Sequence, residues 1–145
     1  QRQIKERRGQ QAFRDALRAR YGDRCVVTGC QLVDVLEAAH ILPYRGEEDN
    51  HEANGLLLRA DIHTLFDLEL LGIEPTTLKV EIHPRLASQA EYAQLRGVAL
   101  HCDGESRPSH DAPTRRYQLF LAAKRIRAKP TYIKHDGAGD EQQIE

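Results

Sequence analysis

The sequence predicts an α+β domain, and three features of its pattern indicate this class. Helical periodicity marks both ends of the chain, over residues 10–21 and 113–128. Between them lie short apolar segments, β-branched or alternating and bounded by turn residues, which are typical of strands. The length of 145 residues is that of one domain, and 40% hydrophobic with 30% charged residues excludes a disordered chain, a collagen-like fibre and a coiled coil.

The N-terminal third of the chain predicts a helix, a turn and a strand. In residues 10–21, QQAFRDALRARY, apolar residues recur at helical spacing, and Gly22 is placed to end the helix as a C′ glycine. The next segment, CVVTGC, is a short β-branched run that turns at its Thr-Gly pair. Residues 33–42 then predict a strand that ends at Pro43.

The middle of the chain predicts a polar loop, a second strand with a helix, and a hairpin. Residues 44–54 are rich in turn residues and predict the loop. The run GLLLRADIHTLFD predicts a brief extended segment followed by a helix that Asp61 caps. The run LLGIEPTTLKVEI predicts a β-hairpin that turns at residues 75–77.

Toward the C-terminus the pattern predicts a short helix at 87–95, a short strand at 97–102 and a longer helix at 113–128. Pro113 is expected near the start of that last helix, where a missing N–H is tolerated. Its predicted apolar stripe consists of Leu119, Ala122, Ala123 and Ile126.

The net charge of −1 is unevenly distributed along the chain. Residues 1–24 carry eight basic and three acidic side chains, and residues 107–129 carry seven and one, whereas residues 25–106 carry five and fourteen. The basic blocks are either solvated helix faces or a phosphate-binding rim around a metal-binding centre. The second alternative predicts that Arg115 and Arg116 bind nucleic acid.

Three residues in the stretch 35–69 have side chains suited to hydrolysis. His40 lies on the predicted strand, Asn54 ends the loop and His63 lies on the helix that follows. Each of them alone has an ordinary structural explanation, such as a buried strand histidine, an Asn-Gly turn or a surface residue of a first helical turn. Taken together, they are more informative, because all three fall within one predicted strand–loop–strand–helix unit.

These motifs resemble the HNH endonucleases, specifically the branch with an Ala-Ala-His first motif. The resemblance rests on the strings EAAHILP and NHEANGLLLRADIHTLFD, preceded by RRGQQAFRDALRARYGDRCVVTGC, and it covers most of residues 8–83. The step from Asn54 to His63 matches the family spacing, whereas Asn50, the rival for the middle position, fits less well. The resemblance implies a ββα-metal core at about 33–72, with flanking helices and an additional β-hairpin.

The same resemblance implies the role of each motif residue. His40 would be the general base, since a neutral imidazole can take a proton from water near neutral pH. His63 would bind one divalent metal ion, with Mg²⁺, Mn²⁺ or Ni²⁺ expected and Zn²⁺ possible. Asn54 would hydrogen-bond the backbone across the loop and so orient His40.

The remaining metal ligands are open, because Ala39 stands where many family members carry an Asp or a His. Asp67 lies four residues after His63 on the same predicted helix face, and Glu37 shares the strand face of Ala39. Arg59 is a candidate phosphate-binding residue, with an ion pair to Glu37 or Asp67 as its alternative.

The cysteines allow a second reading of the sequence. Cys25 and Cys30, with His101 and Cys102, could bind structural zinc, but their spacing is not a standard one, and buried thiols are the better interpretation. An odd count of three cysteines favours a reducing, cytoplasmic setting. The longest apolar runs fall far short of the ~20 residues that a membrane-spanning helix needs.

The sequence therefore predicts a metal-dependent endonuclease that acts on DNA, with double-stranded DNA expected and RNA left open. By resemblance, the expected setting is a restriction or defence protein with a fused reader domain, and a homodimer would allow both strands to be cut. The alternatives are an inactive nucleic-acid-binding module of the same fold and a structural zinc module for protein contacts. We expect one domain over residues 1–130, a frayed acidic tail at 131–145, and, since Met is absent, a chain cut from a longer protein.

Overall fold

The computed structural model describes residues 2–43, 50–108 and 110–126, which form a mixed α+β fold as predicted. The elements in chain order are α1 (Arg2–Tyr21), β1 (Leu36–His40), β2 (Gly55–Arg59), α2 (Ala60–Asp67), β3 (Leu71–Ile73), β4 (Val80–Ile82), α3 (Ala90–Ala93) and α4 (Asp111–Ile126). Within the described residues, no helix combines the length and the hydropathy needed to cross a membrane.

A β-hairpin followed directly by a helix forms the central unit. β1 pairs with β2 in antiparallel register, which sets His40 opposite Gly55, and α2 begins at the residue after β2. The expected strand at 33–42 is shorter than predicted, because residues 33–35 close a 3₁₀ turn in which Val35 N donates to Leu32 O at 3.1 Å.

α1 packs across this hairpin at a glycine. A Cβ atom on Gly55 would lie 2.6 Å from Phe13 Cζ and 2.8 Å from a methyl group of Leu17, so only glycine allows the helix to approach this closely. The hydroxyl of Tyr21 donates to Gly55 O at 2.9 Å. Gly22 ends α1 at a φ of +69°, as predicted, so the C-terminal end of the predicted helix is confirmed.

The second hairpin, β3–β4, is also confirmed, and α4 packs on it at another glycine. A Cβ atom on Gly72 would lie 2.5 Å from Cγ of Phe120, which is buried. The predicted apolar stripe of α4 is wrong, because Leu119 and Ile126 are 47% and 69% exposed. The buried face instead runs through Ala112, Arg116 and Phe120 at four-residue spacing, with an arginine at its centre.

Several smaller predictions also differ from the structure. The helix expected at 87–95 is limited to α3, and the strand expected at 97–102 is reduced to one bridge between Lys79 and Ala99. Asp61 does not cap α2, since Arg59 occupies that position and its side chain makes no capping hydrogen bond. The expectations for residues 44–49 of the loop, 127–128 of the last helix and the 131–145 tail lie outside the described residues.

Candidate active site

The two histidines of the motif line one cleft. It has a volume of about 770 Å³ and lies where α1, β1, α2 and α4 meet. Its lining residues are Gln10, Gln11, Phe13, Arg14, Glu37, Ala38, His40, Pro43, His63, Asp67, Glu69, Arg116 and Leu119. Four of the residues predicted from the sequence, namely both histidines and both candidate carboxylates, therefore share one solvent-accessible space.

The ring of His40 is held by an amide and by an aromatic face. Its Nε2 lies 2.8 Å from Oδ1 of Asn50, and its ring stacks on Phe13 with centroids 4.4 Å apart and planes 12° from parallel. Because an amide oxygen only accepts, this contact places a proton on Nε2. A neutral ring in that tautomer carries its lone pair on Nδ1, which is the atom able to accept a proton.

Asn54 contacts the backbone rather than His40. Its Oδ1 accepts from Leu42 N at 2.9 Å, its Nδ2 donates to Leu42 O at 3.3 Å, and its own carbonyl accepts from Ile41 N at 2.8 Å. These bonds extend the pairing of β1 past His40 into the loop. The asparagine that hydrogen-bonds the imidazole is Asn50, which spacing alone ranked lower because the sequence does not show how the loop returns to the strand.

His63 lies between the two carboxylates that were candidate metal ligands. Its Nδ1 is 2.7 Å from Oε1 of Glu37, and its Nε2 is 3.2 Å from Oδ2 of Asp67. An ionised carboxylate only accepts, so Glu37 places a proton on Nδ1. In the tautomer with its only proton on Nδ1, the Nε2 lone pair faces Asp67, and two electron-pair donors that face each other are stabilised by a cation.

His63 and Asp67 present an imidazole nitrogen and a carboxylate oxygen to the cleft. Within the described ranges, no group of three or more His, Cys, Asp or Glu side chains is arranged to enclose an ion. Ala39 is fully buried and offers no ligand, whereas Asp67 and Glu37 each contact one ring nitrogen of His63. Mg²⁺ and Mn²⁺ suit such a site, since Mg²⁺ keeps several waters and binds substrate phosphates.

Arg59 is paired with Asp61, a partner that the sequence analysis did not predict. Its Nε and Nη2 donate to Oδ1 and Oδ2 of Asp61 at 2.6 and 2.9 Å, and Tyr92 donates to the same carboxylate at 2.9 Å. The guanidinium group, and then the Tyr92 hydroxyl, lower the pKa of Asp61. The alternative of an ion pair with Glu37 or Asp67 is therefore wrong, and Arg59 is not among the lining residues of the cleft.

Two other arginines line the cleft, and each comes from one of the two basic blocks for which the sequence allowed a phosphate-binding rim. Arg14 is half-buried, and its Nη1 donates to the backbone oxygen of Leu36 at 2.6 Å. Arg116 is 7% exposed, so the expectation that it binds nucleic acid together with its exposed neighbour Arg115 is wrong for Arg116. The basic blocks were visible in the sequence, but burial of an individual arginine was not.

The cysteines are not arranged as a metal site. Cys25, Cys30 and Cys102 are all free thiols, and Cys25 is buried with its Sγ accepting from Thr28 N at 3.3 Å. Burial is the main cause that raises the pKa of Cys102. In the described part of the chain these thiols join no metal-ready cluster with His101, so the geometry gives no support to the zinc alternative.

The comparison with known families agrees with this geometry. A sequence profile described as HNH endonuclease matches residues 25–74, which contain both motif histidines, both carboxylates and the two asparagines. A search of curated proteins finds no significant match. The profile leaves the Ala-Ala-His branch a prediction, and what it identifies is one segment of this chain: residues 25–74 match the HNH endonuclease family.

Proposed function

We propose that this chain is a metal-dependent endonuclease that hydrolyses phosphodiester bonds of DNA. A nuclease-type function is what the family match indicates, and nucleases of this family act on DNA and generally need a metal ion. The observation that carries the specific proposal is the convergence of His40 and of the His63–Asp67 pair on one cleft. That arrangement combines a proton acceptor with a cation-binding pair, and together these two groups can promote phosphodiester hydrolysis.

His40 is the general base in this proposal. The oxygen of a water molecule attacks the phosphorus, Nδ1 of His40 takes the water proton, one ester P–O bond breaks, and the leaving alkoxide takes a proton from solvent water. The contacts of His40 with Asn50 and Phe13 support this role, because they set the tautomer and the plane of the ring before substrate binds. Asn54 positions the same ring through the backbone of Leu42.

His63 and Asp67 are the metal-binding pair, and Glu37 orients His63. When bound there, a divalent cation would neutralise charge on the phosphate and stabilise the leaving oxygen. The charges of the cleft support the need for a cation, because Glu37 and Asp67 would otherwise repel a DNA phosphate. The carboxylate of Glu69 is paired with Arg116 and adds little to that repulsion.

The substrate proposed is double-stranded DNA, bound mainly through its phosphates. Arg14 lines the cleft beside His40, and Arg115 is exposed on α4, so both are placed to meet phosphates near the site. Homodimerisation, a fused reader domain, a place in restriction or defence, and a cytoplasmic setting are the parts of the proposal that rest on the resemblance and on composition alone.

Cleavage of supercoiled plasmid DNA tests the proposal directly. With Mn²⁺ or Mg²⁺ present, we expect the chain to convert the plasmid to nicked and then linear forms, and EDTA should abolish the conversion. An RNA transcript of the same sequence, incubated in parallel, decides between DNA and RNA. Retention of DNA in a gel-shift assay without cleavage under any divalent metal would contradict the proposal and favour the inactive binding module.

The two carboxylates beside His63 should differ in their effect on metal binding. Glu37→Gln keeps an oxygen that accepts from Nδ1, so we expect Mn²⁺ affinity, measured by calorimetry, to fall by about tenfold or less. Asp67→Asn removes a charged ligand, and we expect a loss greater than about 100-fold, beyond the range of an orienting residue. The reverse order of these losses would make Glu37 the ligand and Asp67 the accessory residue.

A further inference from the structure

We propose that Arg116, on α4, is a positioning residue that sets the separation between the general base and the metal-binding pair. The inference rests on the proposed function and deepens it, because it assigns part of the site to a helix outside residues 25–74. Arg116 is buried and lines the cleft that also holds His40 and Asp67. It does not face outward as a residue that binds nucleic acid would.

The guanidinium group joins the two halves of the cleft through two backbone carbonyls. Its Nη1 donates to the oxygen of Ile41 at 2.7 Å, and Ile41 directly follows His40. Its Nη2 donates to the oxygen of Phe66 at 2.6 Å, and Phe66 directly precedes Asp67. One rigid, planar group therefore links the segment that carries the base to the helix that carries the metal ligands.

Contacts with the rest of the guanidinium keep it in this orientation. Its central carbon lies 4.0 Å from the centroid of the Phe66 ring, and its Nε lies 3.1 Å from Oε2 of Glu69. A buried cation is tolerated only when such partners replace its water. Because each of its three nitrogens donates to a partner, Arg116 acts as a fixed spacer between the two carbonyls.

The backbone of Glu69 gives independent support for this linkage. Glu69 follows the end of α2 with a φ of +58°, in the left-handed region where glycine is strongly preferred. A glutamate there is conformationally strained, and such strain persists where the surrounding structure compensates for it. Its carboxylate forms an ion pair with Arg116, which a glycine at this position could not form. This ion pair therefore offsets the backbone strain at Glu69.

Arg116→Lys is the informative substitution, because lysine keeps the positive charge but lacks the planar fork that reaches both carbonyls. We expect kcat for plasmid cleavage with Mn²⁺ to fall about 10- to 100-fold, as for a small displacement of catalytic groups. KM for DNA should stay within about threefold, since no substrate contact is removed. Mn²⁺ affinity should also be retained, because His63 and Asp67 lie on the same helix.

The matched control is Arg18→Lys, which perturbs a carboxylate-paired arginine outside the cleft, where Arg18 binds Asp23 at 2.7 Å. All assays are run well below the melting temperature of each variant, so that unfolding does not lower the rate. The control should keep the wild-type kcat. A kcat of Arg116→Lys equal to that of wild type would overturn the proposal, as would a parallel loss of Mn²⁺ affinity, which indicates general loosening.

A readout without cleavage separates this inference from the proposed function. In NMR spectra of the histidine rings, we expect Arg116→Lys to shift the signals of His40 and His63 and to leave His110, an exposed residue, unchanged. If the wild-type chain does not cut DNA, the proposed function fails, and these spectra still decide whether Arg116 positions the rings. Unmoved signals from both cleft histidines would refute the positioning role.

Discussion

Replacing His40 with alanine should reduce DNA cleavage by at least about 100-fold, the lower bound for loss of a general base. The substitution removes the imidazole that is held by Asn50 and Phe13 and leaves the His63–Asp67 pair in place. Mn²⁺ affinity should therefore be unchanged while kcat falls. Plasmid cleavage under single-turnover conditions, combined with calorimetric Mn²⁺ titration, measures both quantities.

His110→Ala is the control for this experiment, because His110 is exposed and lies outside the lining of the cleft. That variant should cleave at the wild-type rate. A thermal melt of His40→Ala is needed as well, since loss of the ring stack with Phe13 removes a packing contact. If folded His40→Ala cuts DNA as fast as wild type does, another group accepts the proton and the assignment of the base is wrong.

Gly72→Ala should lower the stability of the chain clearly, although it adds only one methyl group. The added Cβ would lie 2.5 Å from Cγ and 2.6 Å from Cδ2 of Phe120. These atoms form the base of a buried ring, so α4 or β3 has to move before the methyl group fits. We expect the free energy of unfolding to fall by about 1–3 kcal/mol, as in overpacked cores, which urea denaturation measures.

Gly104→Ala provides the matched control, because no atom outside its immediate neighbours lies within 4 Å of the added Cβ. Its free energy of unfolding should stay within about 0.5 kcal/mol of the wild-type value. Equal stability of the two variants would mean that α4 tolerates displacement from the second hairpin. Because Arg116 lies on α4, such tolerance would also weaken the case for α4 as a rigid support of the cleft.

Much of the fold could be predicted because its signals are short-range. The strand–loop–strand–helix order of the central unit follows from local periodicity and from turn residues. The proximity of His63 and Asp67 follows from four-residue spacing on one helix, and their side chains do lie 3.2 Å apart. The length of β1 was overestimated because a β-branched segment, Val33–Val35, closes a turn that its composition does not indicate.

The partners of the charged residues were harder to predict. Arg59 binds Asp61, two residues away, although pairs with Glu37 or Asp67 were equally consistent with the sequence. The stripe of α4 was misassigned because helical spacing was read for apolar residues alone. Reading only apolar residues assumes that no arginine lies on a buried helix face. Arg116 is an exception, because carbonyl groups and a carboxylate from other parts of the chain hydrogen-bond its charged group.

What the sequence by itself determined is the chemistry available to this protein: two histidines at family spacing, carboxylates nearby, and the local elements that carry them. Only the tertiary structure decided that Asn50 holds the imidazole of His40 and that Arg116 ties the two halves of the cleft together. The physical reason is the separation along the chain between the residues in contact. The bonds from Arg116 span 75 and 50 residues of chain, and contacts at such separations depend on how whole elements pack, which local periodicity does not encode.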